Sequence, residues 1–63
     1  MFSVGDFIVE REGARAPASF GVVMGSEEAA NGEIVLDVQF PTDRLYTFAS
    51  QCQPYKEWLS EQH

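Results

Sequence analysis

The chain has 63 residues, ten acidic against four basic, a formal charge of −6 and 44% hydrophobic side chains. That length makes one domain (residues 1–63), which buries only about 60% of the surface its unfolded form exposes. Cys52 and His63 are the only residues of their kinds, which excludes an internal disulfide and a zinc site of ordinary ligand spacing, so neither a metal nor a cofactor is expected.

Residues 2–6, FSVGD, read as a turn, with Gly5-Asp6 supplying its chemistry. A first strand follows over FIVERE (7–12), with Phe7 and Val9 on one face and Ile8 on the other. The stretch GARAPAS (13–19) has small residues, a proline and no apolar period, and reads as a loop longer than the usual hairpin connection. In the second strand, FGVVMG (20–25), a glycine inside the run requires a backbone reason such as a bend, a bulge or a close approach. SEEAANGE (26–33) combines an acidic pair with Asn31-Gly32, a dipeptide of tight hairpin turns, and its SEEAA portion could start a short helix. The third strand is the clearest element: in IVLDVQF, Ile34, Leu36, Val38 and Phe40 point one way and Val35, Asp37 and Gln39 the other, until Pro41 ends the ladder. PTDR makes the next turn and LYTFA the fourth strand, with Tyr46 and Phe48 on one face. SQCQPY reads as a turn and a short extended piece, and KEWLSEQH (56–63) as a tail or helical turn that folds Trp58 or Leu59 back.

Short strands at intervals of about 8–12 residues indicate an all-β barrel or sandwich. Five strands closed into a barrel suit this length, because closure removes exposed edges. The expected core holds Leu36, Val38, Phe40 and Phe48. The N-terminus has no basic leader, and no apolar run exceeds four residues against the ~18 that span a bilayer. A soluble cytoplasmic protein without a membrane partner is the expectation.

Arg11, Arg15, Arg44 and Lys56 are scattered, which disfavours direct nucleic-acid binding, since phosphate neutralisation wants clustered cations. Asp6, Asp37 and Asp43 have no His, Lys or Ser at a spacing that suggests acid–base or nucleophilic work, so the chain is not expected to be an enzyme. The aromatic residues Phe7, Phe20, Phe40, Tyr46 and Phe48 admit two readings, a cation-binding cage or simply core. Trp58 is either an interface anchor or a cover for the open end of the barrel. Cys52 fits a small buried hydrophobe. Glu27, Glu28 and Glu33 flank one turn, with Glu10, Glu12, Asp37 and Asp43 as further carboxylates that either imitate a phosphate backbone or keep the domain soluble.

An ordered set runs through the chain: F-x-V-G-D-F-I-V at 2–9, G-V-V at 21–23, V-x-F at 38–40, Y-T-F at 46–48 and C-Q-P-Y at 52–55. This set resembles the small SH3-like barrels of the Tudor and KOW type over residues 2–55. It is similar to the RNA-polymerase-interacting domain of CarD-type transcription factors and to the C-terminal Tudor-like domain of UvrD/PcrA helicases. The 13–19 loop lacks the basic and aromatic residues of many such domains, and Cys52 stands where Leu is common. The resemblance implies an SH3-like barrel with a short helical tail. It also implies an interaction module for a protein of transcription or nucleic-acid maintenance, RNA polymerase or another nucleic-acid-binding protein. Phe20, Tyr46, Trp58, Glu27, Glu28 and Arg15 are the candidate partner-binding residues. An acidic mimic that inhibits a nucleic-acid-binding protein is the alternative, and weak nucleic-acid binding through the four cations a third reading.

Overall fold

The computed structural model describes residues 2–10 and 19–61. Strands β1 (Phe7–Glu10), β2 (Ser19–Glu28), β3 (Ile34–Gln39), β4 (Arg44–Phe48) and β5 (Cys52–Pro54) form one antiparallel sheet in the order β4-β3-β2-β1-β5. One 3-10 turn (Ala49–Gln51) leads into β5, and a terminal helix α1 (Tyr55–Ser60) follows it. The expected all-β class holds, but the sheet is not closed. β4 pairs with β3 and β5 with β1, leaving two edges. Strand β5 is only three residues long and ends in Pro54, which has no N–H for a further ladder bond. Of the 13–19 loop, residues 13–18 lie outside the described residues, as do Arg11 and Glu12, the expected end of the first strand.

Strand β2 organises the sheet. Its first half pairs with β1 (Phe7 opposite Val22, Val9 opposite Phe20), and the stretch from Val22 onward pairs with β3. The register shifts between Val23 and Gly25, so Met24 is an extra residue of the kind that bends a strand. Beyond that irregularity Ser26, Glu27 and Glu28 continue the strand, where a helix had been an option for SEEAA. The two glycines of FGVVMG thus have separate reasons. Gly25 sits at the bulge, and Gly21 lies where β3 passes against the strand, a Cβ there overlapping Val38 Cγ1 and lying 3.1 Å from both the Gln39 carbonyl oxygen and Phe40 Cδ1. The β2–β3 connection turns through Ala29 to Glu33, closed by Gly32 N–H to the Ala29 carbonyl (2.9 Å) and Ala29 N–H to that of Glu33 (2.8 Å). Of the pair Asn31-Gly32 only Gly32 has positive φ, +88°, so the loop is longer than a two-residue turn.

The inner face carries Ile8, Val23, Leu36, Val38, Phe40 and Cys52, with Phe2, Ile34 and Ala49 packed against them. Three of the four expected core residues are there; Phe48 is not. It is 42% exposed, and its neighbour Thr47, opposite Leu36 in the β3–β4 register, is the buried one. The reason is Glu10, whose inward-facing side chain is only 6% exposed. Its carboxylate accepts a hydrogen bond from the Thr47 hydroxyl, across the fold from β4 to β1. A buried carboxylate without donors is costly, so a hydroxyl at 47 outweighs the apolar gain of turning Phe48 inward. Thr47→Val keeps the shape and removes the donor, and should cost about 1–3 kcal/mol. Urea melts of Thr47→Val and Thr47→Ser test this: Ser should retain most of the stability that Val loses.

Candidate functional site

Strand β1 is apolar on both sides, and this decides what lies outside the core. Ile8 points to the inner face, whereas Phe7 and Val9 point to the outer one. Val9 is fully buried, between Phe20 of β2 and Gln53 of β5 in register. On this face α1 folds back, so that Trp58 meets the Phe20 ring edge-on at 5.0 Å between centroids and Tyr55 meets it at 5.8 Å. Tyr55 and Trp58 stack at 6.1 Å. Beneath them the buried Gln53 donates from Nε2 to Glu57 (3.1 Å) and Glu61 (2.8 Å), tying the helix to β5. Trp58 therefore folds back as anticipated, against the outer face of the sheet, while Leu59 stays exposed.

Beyond this cluster the covering stops. Phe7 is 67% exposed, and an open apolar groove of about 580 Å³ runs beside it, lined by Phe7, Phe20, Val22, Phe40, Pro41 and Tyr55 with the Gln39 side chain at its margin. The Gln39 amide donates to the carbonyls of Phe40 (2.8 Å) and Asp43 (3.1 Å), which fixes the loop after β3 as one wall. The opposite wall comes from α1 through Tyr55. Gly21 contributes to the floor, where its missing side chain keeps β2 and β3 close. A second hollow, lined by Phe2, Asp6, Phe7, Pro54, Tyr55 and Lys56, adjoins the groove at Phe7 and Tyr55. The preceding turn is held by Gly5 at φ +93° and by Asp6, whose carboxylate accepts from Ser3 N–H (2.8 Å).

The proposed site residues do not all come together. Phe20 and Trp58 belong to the aromatic cluster beside the groove. Tyr46, 68% exposed, instead borders a separate small cleft with Glu27, Val35 and Asp37. Of the five aromatic residues considered for a cage, Phe7, Phe20 and the core residue Phe40 line the groove, whereas Tyr46 borders the other cleft and Phe48 lies at the end of β4. Glu28 lies exposed at the end of β2, and Arg15 is outside the described residues. Sequence reasoning missed Pro41 and Tyr55 as groove residues, and weighed Phe7 only as a cage or core aromatic. The one available signal was an apolar residue on each face of β1, which requires a covering layer on both sides.

Among the described residues the carboxylates do not form one stripe. Glu27, Glu28 and Glu33 cluster at the β2–β3 hairpin. Glu10 is buried against Thr47, and Asp37 forms a bidentate ion pair with Arg44 (2.7 and 2.9 Å). That hydrogen-bonded guanidinium lowers the Asp37 carboxyl from its ordinary value, desolvation opposing, and Asp37 in turn raises Arg44. The pair's stabilisation is present above the ordinary carboxylate range and is lost as pH falls through the depressed value. Among the described residues no helix is long and apolar enough to cross a membrane, and no group of three or more potential metal ligands is present. Comparison with known proteins returns no matching family model, no similar curated protein and no similar solved structure.

Proposed function

We propose that the chain is a cytoplasmic protein-interaction module of the SH3-like, Tudor/KOW barrel type that docks another protein through the outer face of β1, β2 and β3. The observation that carries this reading is the exposed apolar groove beside Phe7. Soluble domains leave large aromatic residues grouped at the surface mainly where something binds. The five antiparallel strands and the inward link from Thr47 to Glu10 support the barrel type. The ordered motif set of the sequence directs the search for a partner to RNA polymerase and other nucleic-acid-binding proteins. Catalysis has no part in this reading.

The acidic mimic is the second reading, and the Glu27, Glu28 and Glu33 cluster favours it. The withdrawal of Glu10 and the pairing of Asp37 count against a continuous phosphate-like stripe. The two readings separate on one variant. Phe7→Ser removes an exposed ring and should change stability by no more than about 0.5 kcal/mol. Retention of purified RNA polymerase core enzyme, or of a helicase of the nucleic-acid-maintenance class, on the immobilised variant should fall at least about tenfold, or about 1.4 kcal/mol. Retention unchanged by Phe7→Ser but collapsing as salt shortens the Debye length below ~10 Å would replace docking by mimicry.

A further inference from the structure

The groove is apolar, but its surroundings are charged. The elements that border it carry Asp6 in the turn before β1, Asp43 in the loop beyond Pro41, Glu57 on α1 and Glu61 just after it. Against these, Lys56 is the only cation those elements contribute among the described residues. Arg44, the other described cation, is engaged by Asp37. The groove lining itself carries no charge, so an occupant meets an apolar floor bordered by mainly acidic elements, on a chain whose formal charge is −6.

We infer that the groove takes a cationic segment of a partner protein, one that inserts large apolar side chains between Phe7, Phe20 and Tyr55 and surrounds them with Lys or Arg. The inference rests on the docking reading above and adds the chemistry of the partner. A volume of about 580 Å³ holds more than one large side chain, and the groove is open along the sheet. An open apolar trough with polar margins suits a peptide segment. Charge decides among the remaining occupants. A second copy would bring another −6 to the contact, and like charge opposes that association, whereas a basic segment is steered in. Bare nucleic acid is repelled by the same net charge, which stacking of bases on the exposed rings would have to overcome. Apolar contacts should set how long the segment stays, and the net negative charge of the chain how fast it arrives.

A library of displayed random peptides, panned on the intact chain with counter-selection on Phe7→Ser, tests this. Peptides that depend on Phe7 should share a large apolar residue flanked by basic ones. A synthetic consensus peptide should shift amide resonances of Phe7, Phe20, Val22, Gln39 and Tyr55. Replacing its basic residues by Gln should weaken binding at least about tenfold, mainly through the association rate. Pro41→Ser, on the opposite wall, should weaken it as well. A neutral or acidic Phe7-dependent consensus would overturn the cationic partner while leaving groove docking intact. Enrichment indifferent to both Phe7→Ser and Pro41→Ser would overturn the groove as the site. Sedimentation equilibrium showing a dimer that Phe7→Ser dissolves would give the groove to a second copy and overturn the inference too.

Discussion

Gly21→Val should leave the domain largely unfolded in buffer, although valine is the better strand former. The added Cβ would overlap Val38 Cγ1, and the Gln39 carbonyl oxygen and Phe40 Cδ1 at 3.1 Å close the direction in which it could move. One of these neighbours is backbone and another is a fully packed core ring, so relief requires β2 and β3 to separate. Overpacking of this kind costs about 1–3 kcal/mol and sometimes more. The 63-residue domain has no disulfide and little stability to spare. Gly25→Ala is the control. A Cβ there meets nothing within 4 Å and the residue is not in the positive-φ region, so its urea midpoint should stay close to that of the parent. A stable Gly21→Val protein would mean that β2 and β3 are not in close approach at this point.

Phe40→Ala should cost roughly 3–5 kcal/mol, the range for truncating a buried aromatic. Among the described residues Phe40 is the largest fully buried side chain, at the end of the inner row that continues through Val38 and Leu36, and its ring also backs the groove floor. Phe48→Ala is the informative partner experiment. Its ring is exposed, so the loss should stay near about 1 kcal/mol. Thermal or urea melts of the two variants would disagree sharply if the facing of β3 and β4 is right. Equal losses would place Phe48 inside and reverse the assignment of Thr47.

That contrast shows where the sequence is legible. Strand β3 could be read because its alternation is complete over six residues and one face is buried, so only one facing satisfies it. Strand β4 misleads because Tyr46 and Phe48 are the more apolar pair while Thr47 is the residue inside. What decides its facing is Glu10, 37 positions away, and no local pattern reports a partner at that distance. The close approach at Gly21 was legible in kind, since a glycine inside a strand requires a backbone reason. Its cause, the side chains of Val38 and Phe40, belongs to β3. The groove was legible only in part, because Phe7, Phe20, Pro41 and Tyr55 come from four separate segments that pairing brings together. Trp58 and Phe20 stood out by residue type, but type alone does not say that they meet.

The short helix α1 makes the only tryptophan a witness to one layer of the protein. Six residues form less than two turns, and no side chain caps the N-terminus at Pro54. The helix holds to the sheet through the contacts of Tyr55 and Trp58 with the Phe20 ring and through the Gln53 amide. Such an element opens as a unit at lower free energy than the sheet beneath it. Indole emission therefore follows the undocking of the C-terminal lid, whereas amide exchange in β3 follows global unfolding. The fluorescence and far-ultraviolet transitions then need not coincide, and their separation measures how independently the lid moves. Undocking also removes the Tyr55 wall from the groove, so the same lid motion would set the fraction of molecules competent for the docking proposed there.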